Sequence, residues 1–236
     1  MTTLGGALIF FFKKPSQTIT LVSVGAAGGI MFSSSIWSLL LPAFDQSKLT
    51  WGKIFIIPVA AGFVLGGTFM IILDFVCKKA FKNNEKAQKP FNFFFAMTIH
   101  NIPEGLAVGI ALGASTADAG LNTGAFLLSL GIALQNFPEG LATAIPMQNF
   151  LKNNKKSFFF AFLSGIVEPI FALVGYFLAT IANSILPWLL SLAAGAMIYV
   201  IVEELLPEMQ ENKKSTLGTS MFLLGFLIMM LLDVCL

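Results

Sequence analysis

The sequence predicts an all-α integral membrane protein of eight transmembrane helices with inverted-repeat symmetry. Three observations carry that expectation. The 236-residue chain is 56% hydrophobic and only 11% charged, with a mean hydropathy of +0.84. A soluble domain carries about 25% charge. Apolar runs long enough to span a bilayer, about 20 residues each, alternate with short polar breaks. Lysine falls on every second break. Eight spans use roughly 160 residues, which leaves no room for a separate soluble catalytic domain. Residues 1–236 therefore read as one polytopic domain. The net charge of +2 is too small to point to nucleic acid. Arginine, the usual phosphate reader, is absent, and all 14 basic residues are lysine.

The spans follow from the breaks. Span 1 covers 2–12 and stops at Lys13-Lys14-Pro15. Its 11 residues reach only about 16 Å as helix, against a hydrocarbon core of about 30 Å. Either the chain starts inside its first helix or that helix is short. Span 2 covers 18–44 and span 3 covers 54–77, and a lysine-rich loop fills 78–90. Spans 4 to 8 cover 91–114, 120–150, 157–185, 186–206 and 216–236. Cys77 and Cys235 form no CxxC pair and read as small hydrophobes in membrane segments. No small-residue cleavage site follows the first apolar stretch, so no cleaved signal is expected.

Lysine placement orients the spans. Lys13 and Lys14 lie in the 1–2 loop, and Lys78, Lys79, Lys82, Lys86 and Lys89 in the 3–4 loop. Lys152, Lys155 and Lys156 follow in the 5–6 loop, and Lys213 and Lys214 in the 7–8 loop. The other side has only Lys48 and Lys53. Twelve against two puts both termini outside. Trp37, Trp51 and Trp188 fall toward that outer side, where indole rings favour the interface. Gly105, Gly109 and Gly113 in span 4, and Gly62 and Gly66 in span 3, repeat every four residues. Such stripes let helices approach closely in lipid.

One constellation carries chemistry. His100-Asn101-Ile102-Pro103-Glu104-Gly105-Leu106-Ala107 and Gln135-Asn136-Phe137-Pro138-Glu139-Gly140-Leu141-Ala142 lie 35 residues apart and share x-N-x-P-E-G-L-A. Each sits mid-span on consecutive, hence antiparallel, helices. That implies a pseudo-two-fold axis in the membrane plane with a site at the midplane. His100, Asn101 and Glu104 share one helix face, as do Gln135, Asn136 and Glu139. Pro103 and Pro138 free the carbonyls of Ile99 and Leu134, which need a partner at that depth. Span 6 adds Glu168 in Gly165-Ile166-Val167-Glu168-Pro169. A charge at the bilayer centre costs about 2.5–3.5 kcal/mol on insertion scales, and no lysine lies at that depth. A metal cation supplies the missing positive charge. Imidazole with carboxylate and amide oxygens suits a borderline divalent ion, and the lack of thiolate excludes a soft Cu(I) site. Taken singly, His100 reads as a satisfied core residue and each glutamate as a proton relay; the repeat favours a metal path. Asp74, Asp118 and Asp233 read as interfacial charges.

The strings HNIPEG, QNFPEG and SGIVEP, with GAMIYVIVEELLPE in span 7, resemble the ZIP (Zrt-, Irt-like protein) divalent metal transporters, and most closely the bacterial GufA-like branch. The resemblance implies eight helices arranged as inverted repeats, both termini outside, and import of Zn²⁺ or a related ion into the cytoplasm. It also implies a binuclear site. The first metal would take His100, Glu104, Gln135 and Glu139, with the Met31 thioether. The second would take Asn101, Glu104, Asn136, Glu139 and Glu168. Glu203 and Glu204 would line the inner exit path. Three features depart from the family pattern: the short first span, Gln135 and Asn136 where many relatives have histidine and some aspartate, and a lysine- and asparagine-rich 3–4 loop in place of a histidine-rich one.

The expected function is divalent metal transport, Zn²⁺ foremost with Fe²⁺, Mn²⁺ or Cd²⁺ as alternatives. The metal is cargo and no cofactor is expected. Partners are the metal, the lipid bilayer and a second copy in a homodimer, and nucleic acid is excluded. The expected location is a prokaryotic plasma membrane. An intramembrane metalloenzyme is the rival reading, but the chain has no HExxH, no GxSxG and no second histidine. A Mg²⁺- or proton-handling protein is the third, against which His100 argues, because Mg²⁺ prefers oxygen ligands.

Overall fold

The computed structural model describes residues 1–11, 17–80, 85–117, 123–181, 183–210 and 215–235. Among them the chain is helical almost throughout and contains no strand. In lipid a helix satisfies every backbone donor and acceptor within one segment, so the apolar runs fold this way. The helices are α1 (Thr2–Ala7), α2 (Gln17–Ser34), α3 (Leu41–Trp51), α4 (Ile56–Ala80), α5 (Glu85–Ala117), α6 (Thr123–Leu151), α7 (Asn154–Ile181), α8 (Leu186–Val200), α9 (Leu206–Gln210) and α10 (Ser215–Cys235).

Six stretches are long and apolar enough to cross a membrane: Thr18–Ile54, Ile56–Val76, Phe93–Gly113, Asn154–Ala179, Leu186–Gln210 and Thr216–Val234. The expected count was eight. α6 is long enough at 29 residues, but its motif makes its middle too polar to qualify. α1 has only six residues, followed by a 3₁₀ turn at Leu8–Phe10. That short helix is pinned. Asn154 Nδ2 donates to the Ile9 carbonyl at 3.1 Å, and Ile9 packs with Leu141, Ala144, Ile145 and Ala161.

Two spans are longer than expected because π-helical segments carry them through a proline. Ser35–Leu40 joins α2 to α3, and Ile201–Leu205 joins α8 to α9. Pro42 and Pro207 follow two residues after each segment. A proline crowds the carbonyl four residues back, here that of Ser38 or Glu203, and the widened turn absorbs it. Span 2 thus runs on to Trp51, past residue 44. Residues 78–90 are also not all loop: α4 continues to Ala80, and α5 begins at Glu85 and passes through Pro90. The α6–α7 connection is tight. Lys152 takes a left-handed φ of 52°, its N–H bonds to Gln148 O at 2.8 Å, and Asn153 Oδ1 caps α7 by accepting from Lys156 N at 3.1 Å. This turn sets α6 antiparallel to α7.

Four helix pairs close at glycines: α1 with α6, α2 with α10, α4 with α8, and α5 with α7. A Cβ on Gly105 or Gly109 would strike the Glu168 or Ala172 carbonyl of α7, and one on Gly113 would lie 2.7 Å from that of Tyr176. Gly62 and Gly66 meet α8 likewise. The expected glycine seams are therefore real packing surfaces. Spans Thr18–Ile54 and Phe93–Gly113 are central, with windows 67% and 62% buried, while Thr216–Val234 is peripheral at 17%. At one end of the bundle Trp51 and Trp188 meet edge to face at 6.2 Å. α4 and α10 share the spacing Gly-x₃-Met-x₃-Asp: Gly66, Met70 and Asp74 in one, Gly225, Met229 and Asp233 in the other. Both methionines are buried. Tyr199 of α8 donates to Asp74 at 3.4 Å, and Ser38 donates to Asp233 at 2.8 Å. Asp118 lies outside the described residues.

Candidate metal centre

The paired motifs meet in the bundle interior. Asn101 and Glu104 of α5 and Gln135, Asn136 and Glu139 of α6 are all at most 1% exposed. Gln135 Nε2 donates to Glu104 Oε1, which joins the two copies directly. Ser34 of α2 donates to Gln135 Oε1 at 3.4 Å and to the Met31 carbonyl at 3.1 Å. Met31 is itself fully buried, one turn before Ser34 on α2. Asn101 Nδ2 donates to the Ser164 carbonyl at 2.7 Å and to the Ser164 hydroxyl at 3.1 Å. Ser164 lies one turn before Glu168 on α7. Glu168 is half-buried, and its carbonyl packs on Gly105, beside Glu104.

The glycine of each motif has a steric reason. Gly105 lets α5 settle on α7, and Gly140 lets α6 settle on α1, where an added Cβ would strike Thr2 O and lie 2.7 Å from Gly6 N. Each motif glutamate is thus held at a close helix contact. His100 stands on α5 next to Asn101, but its side chain lies outside the described residues. Glu203 and Glu204 lie in the π-helical segment between α8 and α9, the first exposed and the second half-buried. Among the described residues no three His, Cys, Asp or Glu side chains form a ready metal cluster. What the described side chains join directly is Glu104 with Gln135; Asn101, Asn136 and Glu139 are buried on the same two helices. A hard or borderline cation would suit such donors.

The family model for the ZIP zinc transporter matches residues 90–233, more than half of the chain and both motif copies. The chain belongs to the ZIP family.

Individual relatives agree over nearly full length. Human zinc transporter ZIP11 is 30% identical, covering 99% of this chain and 93% of that protein. Zinc transporter GufA of Myxococcus xanthus is 33% identical, covering 100% and 94%. Zinc transporter ZupT of Streptococcus mutans serotype c is 30% identical, covering 97% and 90%. ZIP membership assigns transport, not catalysis, to this fold.

Two residues near the centre of this ZIP chain escaped the sequence reading. Ser34 and Ser164 are both at most 1% exposed and both hydrogen-bond a motif amide. The available signal was spacing: Ser34 is three residues after Met31, and Ser164 is four before Glu168.

Proposed function

We propose that this ZIP chain carries divalent metal, Zn²⁺ foremost, into the cytoplasm through a midplane centre on α5 and α6. One observation carries the reading. Glu104 and Glu139, one from each copy of the repeated motif, are both buried in an apolar bundle, and Gln135 of one copy bonds Glu104 of the other. His100, Glu104, Gln135, Glu139 and Met31 form one metal position. Asn101, Glu104, Asn136, Glu139 and Glu168 form the second, with Glu104 and Glu139 bridging. Glu203 and Glu204 receive the ion on the inner side. The lysine distribution favours both termini outside; the proposed site is a prokaryotic plasma membrane. The shared Gly-x₃-Met-x₃-Asp of α4 and α10 and the matching glycine contacts of the two motifs support inverted repeats completing an eight-span fold. The exposed apolar faces of α4 and α10, such as Ile71, Phe75, Leu223 and Leu227, suit lipid or a second copy.

Uptake into proteoliposomes tests the reading, with Zn²⁺, Fe²⁺, Mn²⁺, Cd²⁺ and Mg²⁺ compared. Saturable transition-metal uptake that is lost in Glu104→Ala is expected. No uptake of any ion, or Mg²⁺ carried as well as Zn²⁺, would overturn it. Metal that survives dialysis on the purified protein without exchange would favour the enzyme instead. Ligands must shed protons to bind metal, so uptake at limiting Zn²⁺ should rise from pH 5.5 to 7.5; a flat profile contradicts the centre.

A further inference from the structure

The two motif asparagines occupy matching places yet have different surroundings. Asn101 Nδ2 donates to the Ser164 carbonyl and hydroxyl. A carbonyl oxygen only accepts, so the amide nitrogen at 101 has one permitted direction. Its Oδ1 is consequently turned away from Ser164, is buried, and meets no hydrogen-bond partner among the described residues. At Asn136, by contrast, neither Oδ1 nor Nδ2 has such a partner among the described residues, although the residue is fully buried. An amide and a carboxylate have nearly the same shape and differ in one donor group and one charge. At 101 the donor is in use. At 136 no described residue takes it.

We propose that Asn136 is the residue that sets how tightly the centre holds its divalent cargo, whereas Ser164 fixes Asn101 as a neutral oxygen donor. The inference rests on the transport reading above. A carboxylate at 136 would bring a fourth anionic group to Glu104, Glu139 and Glu168 and hold the ion longer. The amide keeps the ion releasable. A carboxylate at 101 would instead face the Ser164 carbonyl, acceptor against acceptor, and lose both bonds.

The test uses the purified full chain. Zn²⁺ affinity is measured by competition with a chelator, and thermal unfolding is measured without metal. Asn136→Asp should bind Zn²⁺ at least about tenfold more tightly, roughly 1.4 kcal/mol. Asn101→Asp should gain nothing, and its metal-free form should melt below the unsubstituted protein. Equal gains in the two variants, or no gain in Asn136→Asp, would overturn the assignment. If Asn101→Asp yields no folded protein, Asn101→Ala replaces it: a several-fold weaker affinity is expected, and an unchanged one counts against the proposal. Glu104→Gln in the same titration separates the failures. Binding that survives it undercuts the transport centre itself. Binding lost in Glu104→Gln but unchanged in Asn136→Asp undercuts only the role of Asn136.

Discussion

Replacing Glu104 by glutamine should lower Zn²⁺ uptake at least about 100-fold while leaving the helices standing. The side chain is fully buried and accepts a hydrogen bond from Gln135 across the α5–α6 contact. Glutamine keeps the shape and an acceptor oxygen, so that contact survives. Only the charge is lost. A unit charge pair 4 Å apart is worth about 4 kcal/mol at an effective dielectric of 20, and a divalent ion feels the loss more strongly. Since each 1.4 kcal/mol is a factor of ten, two orders of magnitude is a conservative expectation. The metal-free protein should melt no lower than the unsubstituted one, because burying a charge costs more than burying a neutral amide of the same shape. Flux into proteoliposomes and thermal unfolding in detergent read the two effects separately. Uptake within threefold of the unsubstituted protein would remove Glu104 from the path.

The second large effect is on assembly. Gly109→Val should cost about 3 kcal/mol or more, at the upper end of overpacking costs, and lower the melting temperature by roughly 10 °C. A Cβ at 109 would strike the Ala172 carbonyl and lie 2.8 Å from Tyr176 N. Both are backbone atoms of α7, which can yield only if the helix moves. Gly131→Ala is the control. Its Cβ would meet only the sulfur and terminal methyl of Met229, a flexible end that can swing aside, and the expected loss is under about 1 kcal/mol. Equal losses in the two variants would show that backbone proximity is not what the α5 glycines provide.

Much of the centre was legible because it rests on local strings. The repeated N-x-P-E-G places its amides and glutamate on one face by helix geometry alone, and in the structure each of these side chains is buried, with Gln135 bonded to Glu104. Burial of Met31 depended on the packing of α2, which periodicity does not give. Ser34 and Ser164 were missed because a lone serine among small residues looks the same whether it fills space or holds an amide. Element ends were misread where charge and structure part company. The lysines of residues 85–90 suggest a loop, yet Glu, Lys, Gln and Ala are good helix formers and α5 begins at Glu85. The run of span 2 to Trp51 depended on a π-helical turn that accommodates Pro42. The glycine stripes announced close contacts but not which helix lies opposite, since that information is non-local.

The glycine-closed pairs join helices far apart along the chain, and this orders how the molecule can be made. α5 needs to wait only for α7, but α4 waits for α8, α1 for α6, and α2 for α10, which leaves the ribosome after all of them. Until then Gly25 and Gly29 of α2, which fit against Gly218 and Phe222, face lipid or a temporary neighbour. A chain interrupted before residue 215 keeps every residue of the two paired motifs and still cannot close the helix that carries Ser34 to Gln135.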